Sequence, residues 1–182
     1  ATLTVQKEDY QGTYDGLAHS ASLTVKTGKF LTYAKVYYSD SVTVSGENYH
    51  NMKTAMPSFT KAGSHTVYYY AVCDSYQPVS GTLSVNIQPA PLKVTPPDAE
   101  LTYGDDPAAL LSKLQAAEQT QEQLSFSGFV NGETAESALT GKTVIFATDY
   151  ARYGTSGSYQ ITCTGLTADN YSIACQPAVL KV

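Results

Sequence analysis

The sequence predicts a mainly β protein made of two tandem modules, and three observations lead to that fold class. The chain has 182 residues, which exceeds one small domain and fits two domains of ordinary size. Almost every apolar stretch alternates with polar residues or runs briefly between turn signals, as strands do. The segment Gln88-Pro89-Ala90-Pro91 cannot donate a continuous ladder of backbone hydrogen bonds, so it is predicted to be a connector. We therefore expect modules at residues 1–88 and 89–182.

The first module is predicted to consist of strands throughout. The candidate strands lie at residues 3–5, 21–25, 32–39, 42–44, 65–73 and 81–87. Turn signals such as Thr27-Gly28 and Ser45-Gly46 separate them. Short strands at this density suggest an antiparallel β-sandwich.

The second module is predicted to be β-rich with one or two short helices. Its candidate elements are strands at 92–94 and 100–103, a helix at 105–117, a strand at 124–129, a helix at 133–139, and strands at 143–147, 159–163, 171–175 and 178–182. Asp105 or Asp106 can cap the first helix, and Pro107 fits its first turn. The apolar residues of that helix form one stripe, which comprises Leu110, Leu111, Leu114 and Ala117. The second helix is predicted to begin after Asn131 and to end at Gly141. Both a β-grasp-like sheet and a sandwich with helical insertions fit this order.

Charge and hydropathy exclude several classes of partner. The net charge is −5 and the pI is near 5.0, with no cluster of Lys or Arg, so nucleic acid and anionic membranes are disfavoured. No apolar run approaches the roughly 20 residues that a bilayer-spanning helix needs, so we expect no direct membrane insertion. The first ten residues lack the basic and apolar regions of a signal peptide. We therefore expect the chain to begin inside a larger protein.

The three cysteines allow one disulfide at most. They are Cys73, Cys163 and Cys175, and no CxxC spacing is present for zinc or thiol redox chemistry. Residues 159–163 and 171–175 are predicted to form a hairpin, whose symmetry about the turn can place Cys163 opposite Cys175. Two interpretations follow for this pair: small apolar residues buried on the core face, or a cross-strand disulfide. Cys73 stays unpaired in either case.

Residue types that carry catalysis or metal binding do not form recognisable motifs. The histidines, which do not stand at metal-ligand spacing, are His19, His50 and His65. The sequence has no GxSxG and no phosphate-binding glycine loop. The densest acidic group comprises Asp98, Glu100, Asp105 and Asp106, and turn and cap roles explain it better than calcium does. We therefore expect no catalytic residues, no metal and no cofactor.

Tyrosines offer the remaining candidate site. The chain has 15 Tyr but no Trp, and five of the tyrosines fall on predicted strands where they can form a stacking face for sugar rings or peptides. These five are Tyr33, Tyr37, Tyr38, Tyr68 and Tyr70. Because alternate residues of a strand face the core, an ordinary sandwich also explains much of this pattern.

The two halves resemble each other and also resemble known modules. Gly63-Ser64-His65-Thr66-Val67 has a counterpart in Gly157-Ser158-Tyr159-Gln160-Ile161, about 94 residues later, as in tandem arrays. The second module resembles the bacterial MBG domain of the YGX type over nearly all its length. The residues that carry the resemblance are 90–94, Leu101-Thr102-Tyr103-Gly104-Asp105, Phe126-Ser127-Gly128-Phe129-Val130-Asn131-Gly132-Glu133-Thr134, 157–161 and Asp169-Asn170-Tyr171-Ser172-Ile173. The segment 107–123 is longer than the connection usual in that family.

The first module is similar to a bacterial Ig-like module that often precedes such domains. The similarity rests on residues 14–20 and 62–69, with His65 where Tyr is usual. Together the resemblances imply a long, repetitive bacterial surface or secreted protein, with no cofactor and no catalytic residues. We expect an extracellular, non-catalytic stalk or spacer module that adjoins other modules of its parent chain. The alternatives are an adhesive module that binds a host glycan or protein through the tyrosines, and, more remotely, a hydrolase.

Overall fold

The computed structural model describes residues 1–116 and 123–182, and the chain divides into two compact units, Ala1–Gln88 and Pro89–Val182. Strands dominate both units, and two short α-helices occur in the second. The predicted mainly β fold class is therefore confirmed.

The N-terminal unit contains six strands in two sheets. The strands are β1 (Thr4–Glu8), β2 (Tyr10–Thr13), β3 (Ser22–Lys26), β4 (Lys35–Ser39), β5 (Gly63–Val72) and β6 (Val79–Gln88). β1 and β3 form an antiparallel pair, and the second sheet has the order β2-β6-β5-β4. Along β5, Val67, Tyr69 and Ala71 are buried while the intervening residues are partly exposed, which is the alternation that the sequence predicts.

Two features of this unit differ from the predicted sandwich. β2 was not predicted, and it pairs parallel with β6, so the unit is not purely antiparallel. Residues 42–44 are not a strand, because the Ser39 hydroxyl accepts the backbone N–H groups of Ser41 and Val42 at 3.2 and 3.1 Å and turns the chain out of the sheet. Val44 is buried all the same, so its apolar character reflects core packing rather than a strand.

Among its described residues, the C-terminal unit contains seven strands and two helices. They are β7 (Ala90–Thr95), β8 (Ala99–Glu100), α1 (Pro107–Ala116), β9 (Ser125–Ser127), α2 (Ala135–Ala138), β10 (Ile145–Thr148), β11 (Ser158–Thr164), β12 (Tyr171–Cys175) and β13 (Ala178–Lys181). One sheet has the order β10-β11-β13-β8 and the other has the order β12-β7-β9. The pairs β12–β7 and β13–β8 are parallel, and the others are antiparallel.

The core of the C-terminal unit lies between its two sheets. Val94 of β7 packs in the same buried cluster as Phe146, Ile161 and Leu180 of the four-stranded sheet. Because side chains of both sheets share one apolar core, the unit has the layered packing of a sandwich. Of the two architectures that the sequence left open, this one describes the observed unit.

The predicted hairpin of residues 159–163 and 171–175 is wrong. β11 belongs to the four-stranded sheet, and β12 belongs to the three-stranded sheet, where it pairs parallel with β7 from Tyr171↔Ala90 to Cys175↔Val94. The connection 165–170 therefore carries the chain from one sheet to the other.

The two helices differ in how they are held. The Asp106 carboxylate accepts the Ala108 N–H at 3.0 Å at the start of α1, as an N-terminal cap does. Leu114 of this helix is buried in the core. Ala117, the last residue of the predicted stripe, lies outside the described residues. α2 begins at the capping box of Thr134 and Ser137 rather than at Asn131. In the described ranges no helix is long and apolar enough to cross a bilayer.

Candidate functional site

The tyrosines of β4 and β5 divide between the two faces of their sheet. Tyr37 lies opposite Tyr70, and Tyr68 lies opposite Ser39, so these tyrosines share the outer face. Tyr38 lies opposite Tyr69 on the inner face, where it is 7% exposed, and this burial raises the pKa of its hydroxyl. Including Tyr38 in the exposed set was therefore wrong.

The outer tyrosines are covered in part by the unit's own chain. Tyr49, in a short 3-10 turn at Tyr49–Asn51, packs on Tyr37 and on Tyr70 with ring centroids 5.0 Å apart in each case. A Cβ atom at Gly46 would lie 3.1 Å from the Tyr70 hydroxyl oxygen, so this stretch follows the sheet closely. Tyr37 and Tyr70 are only partly exposed as a result, and Tyr68 is partly exposed as well. A ligand face on these residues stays a prediction.

The exposed apolar side chains of this unit concentrate on the loop between β3 and β4. Phe30 is 90% exposed, Leu31 is 70% exposed, and Tyr33, from the predicted set, is 52% exposed. Leu31 has a φ of 51°, an unfavourable conformation for a branched side chain. The Thr27 hydroxyl closes the loop, since it accepts the Lys29 N–H and donates to the Thr32 carbonyl at 3.2 Å. Sequence reasoning missed Phe30 and Leu31, although an apolar pair one residue beyond the turn signal Thr27-Gly28 was a signal for them.

All three histidines make ring contacts within this unit, and His50 packs on Tyr49 with a centroid distance of 3.8 Å. His19 Nε2 lies 2.9 and 3.0 Å from the two carboxylate oxygens of Asp15, and the Tyr10 ring stacks on His19 with a centroid distance of 4.5 Å. The hydrogen bond from His19 lowers the pKa of the exposed Asp15 carboxyl. His65 stacks on Phe59 with a centroid distance of 4.4 Å.

The acidic residues near residue 100 serve the fold as backbone acceptors. Asp98 accepts the Val179 N–H at 2.7 Å, and Asp105 accepts the Thr102 N–H at 2.8 Å. Across residues 1–116 and 123–182, no group of three or more His, Cys, Asp or Glu side chains is arranged to hold a metal ion.

Tyr103-Gly104-Asp105 forms a tight turn in the C-terminal unit. Gly104 has a φ of 91°, which favours glycine, and the Asp105 N–H returns to the Thr102 carbonyl at 2.9 Å. The Gly104 carbonyl accepts a hydrogen bond from Arg152 Nε at 2.8 Å. The Gly104 carbonyl and the N–H and carboxylate of Asp105 are thus all bonded within the unit.

Tyr171 joins two segments that lie far apart in the sequence. Its hydroxyl donates to the Glu133 carboxylate and accepts the Val130 N–H at 3.2 Å. The Phe129 ring meets the Tyr171 ring edge-on at 5.5 Å. Burial and, next, the Glu133 hydrogen bond raise the pKa of the Tyr171 hydroxyl.

Cys163 and Cys175 meet inside the C-terminal unit as unbonded thiols. Their sulfur atoms are 3.3 Å apart, and the Cys163 N–H points to Cys175 Sγ at 3.1 Å. Burial, with a further contribution from Cys175, raises the pKa of the Cys163 thiol to about 12. Cys73 belongs to the other unit and is also a free thiol. Whether the pair oxidises to a disulfide stays a prediction.

A groove of about 540 Å³ lies in the N-terminal unit between the end of β4 and residues 51–58. Its charged lining residues are Asp40 and Lys53, and Met52, Met56 and Pro57 supply apolar surface. One acid and one amine on a mixed lining do not make the converging polar groups that a catalytic cleft needs.

Comparisons with known proteins place the C-terminal unit in a family. Residues 92–181 match the sequence model of the MBG domain (YGX type). No curated protein matches the chain. A solved structure of fibronectin(III)-like modules of Clostridium thermocellum CbhA shares 12% identity over 98% of this chain and 94% of that chain, but its TM-score of 0.29 is too low to carry an argument.

The family match begins within β7 and runs to the end of β13, and it includes the Gly104 turn and the Tyr171 contacts. Such domains are β-rich, generally non-catalytic modules that typically occur in extracellular bacterial proteins. The C-terminal unit is therefore an MBG domain of the YGX type.

Proposed function

We propose that the chain is a non-catalytic stalk or spacer module of a bacterial cell-surface or secreted protein. The observation that carries this proposal is that polar groups in the segments matched by the family model form hydrogen bonds within the unit. The Gly104 turn is closed by its own backbone and by Arg152, and the Tyr171 hydroxyl is held by Glu133 and Val130. Polar groups spent on internal hydrogen bonds stabilise a fold and present little to a ligand.

A hydrolase is the less supported alternative. General acid–base work needs carboxyl or imidazole groups that converge on one reacting position. Asp98, Asp105 and Asp106 instead each accept a nearby backbone N–H. The geometry therefore favours a structural role for these carboxylates.

An adhesive role is a second candidate, and the loop between β3 and β4 supports it. Phe30, Leu31 and Tyr33 expose apolar surface together, and aromatic side chains at an exposed tip are the residues that anchor protein interfaces. A host glycan or protein would then be bound at this loop rather than on Tyr68 and Tyr70, which are only partly exposed.

A binding screen distinguishes the two candidates. The chain is applied to an array of oligosaccharides and of collagen, fibronectin and laminin, beside a Tyr68→Ala/Tyr70→Ala variant and a Phe30→Ala/Tyr33→Ala variant. Tyr103→Ala, at a residue that is 60% exposed in the other unit, controls for the loss of any surface tyrosine. For a spacer we expect no saturable binding by any of the four proteins.

Saturable binding that either double variant abolishes and Tyr103→Ala retains would overturn the spacer proposal. The variant that loses binding would then identify the adhesive surface as the outer face of β4 and β5 or as the loop tip. Circular dichroism of each variant confirms that lost binding is not lost folding.

A further inference from the structure

We propose that Cys163 and Cys175 form a disulfide that links the two sheets of the C-terminal unit, and that Cys175 is the thiol that reacts first. The two cysteines lie on β11 and β12, which belong to different sheets, and their side chains meet in the core. The bond would therefore be a covalent link across the sandwich. This inference is independent of the stalk role.

The distance between the sulfur atoms is short enough for a bond without rearrangement of the fold. A disulfide has a sulfur separation of about 2.05 Å, so the sulfurs at 3.3 Å need to approach by about 1.2 Å. Small rotations of the two side chains achieve this approach, so each strand can stay paired within its own sheet. β11 lies between β10 and β13, and β12 is paired with β7 along its length.

The two thiols differ in access. Cys163 is 3% exposed, whereas Cys175 is partly exposed. A cavity of about 210 Å³ borders both cysteines, and Val94, Leu166 and Ile173 also line it. A reagent that enters this cavity meets Cys175 more readily than the buried Cys163. The raised pKa of Cys163 favours the same order, because thiolate is the attacking form.

The bond requires an oxidant, and a small-molecule disulfide supplies it. The Cys175 thiolate attacks one sulfur of the reagent, which forms a mixed disulfide and releases one reagent thiolate. The Cys163 thiol then loses its proton to solvent, and its sulfur attacks Cys175 Sγ and displaces the second reagent thiolate. Both leaving thiolates take up the protons that the two cysteines lost. Each cysteine is oxidised by one electron, and the reagent disulfide is reduced to two thiols.

The parent chain itself allows a direct test. Cleavage after Lys and Arg leaves residues 153–181 as one peptide that holds both cysteines, while Cys73 falls in another. The folded chain is incubated with oxidised glutathione, and the reaction is then quenched. The chain is digested, and the masses of its peptides are measured. We expect peptide 153–181 to lose the mass of two hydrogens and the melting temperature to rise by about 10 °C, as closing a short loop predicts. A reducing agent should reverse both changes.

Single variants test the order of reaction. In a Cys73→Ser background, Cys163→Ser should retain one glutathionyl group on Cys175, whereas Cys175→Ser should stay unmodified, with folding of both checked by circular dichroism. Two free thiols in peptide 153–181 after incubation would overturn the disulfide. Equal labelling of the two folded variants would overturn the order in which the thiols react. Neither outcome depends on the result of the binding screen.

Discussion

At the scale of single residues, the Tyr171 hydroxyl joins two distant segments of the C-terminal unit. It connects β12 to the segment before α2 through Glu133 and Val130. Replacement of Tyr171 by Phe keeps the ring contact with Phe129 and removes only the hydroxyl. We expect a loss of about 1–3 kcal/mol in the free energy of unfolding, because a charge-assisted hydrogen bond is lost and the partly buried Glu133 carboxylate and Val130 N–H each lose this contact. Urea denaturation at pH 7 measures this loss.

The difference in stability between the parent and Tyr171→Phe should depend on pH, and the sign of this dependence follows from the raised pKa of Tyr171. The unfolded tyrosine ionises near pH 10, and the folded one ionises above that. The stability from Tyr171 is therefore fully present below about pH 10 and is lost as pH rises further. The difference between the parent and Tyr171→Phe should shrink above that pH. Tyr103→Phe removes an exposed hydroxyl, so it should leave the free energy of unfolding unchanged both at pH 7 and above pH 10. A loss for Tyr103→Phe equal to that of Tyr171→Phe would contradict the role given to Tyr171.

The sequence predicted the faces of the β5 side chains correctly, but it did not predict which β4 tyrosine shares a face with them. Alternation along β5 gave the correct faces for Val67, Tyr69 and Ala71, since side chains of a strand point to opposite sides in turn. Tyr37 and Tyr38 are adjacent, so only one of them can share a face with Tyr70. Which one does so depends on the register between β4 and β5, and alternation within a strand does not contain that register.

At the scale of elements, most strands were predictable and their partners were not. The apolar pattern predicted the positions of β11 and β12 closely, because in each strand one face is more buried than the other. Their separation by a short connection favoured a hairpin, whereas β12 pairs with β7, far earlier in the chain. Long-range parallel pairing leaves no local signal of the kind that a tight turn gives. The proximity of Cys163 and Cys175 was therefore foreseen for a different geometric reason from the one observed.

The role of α1 can be tested at this scale. Leu114 is buried among residues of both sheets, so α1 is a part of the core rather than a detachable insertion. Replacement of Leu114 by Ala should cost about 2–4 kcal/mol in the free energy of unfolding, through lost burial and the cavity left behind. Ser112→Ala, on the exposed side of the same helix, should stay within about 0.5 kcal/mol of the parent. Equal, small effects of the two substitutions in urea denaturation would show that α1 does not support the core.

At the scale of the whole molecule, the C-terminal unit contains what a domain needs in order to fold by itself. Its core, with Ile161 and Leu180 fully buried, is formed within residues 89–182. Hydrogen bonds tie its beginning to its end, since Leu101 N–H donates to the Lys181 carbonyl at 2.8 Å. We expect a fragment of residues 89–182 to unfold in one cooperative transition, with a free energy of unfolding of about 5 kcal/mol or more.

A shorter fragment, residues 97–182, is the matched control for that expectation. It lacks β7, which pairs with both β12 and β9 and supplies the buried Leu92 and Val94. Without β7 the three-stranded sheet loses its central strand, and one side of the core has no cover. Calorimetry should therefore give a sharp transition for 89–182 and none for 97–182. A fragment 89–182 that melts without a cooperative transition would mean that this family domain requires the N-terminal unit to fold, and the two units would then act as one structural module.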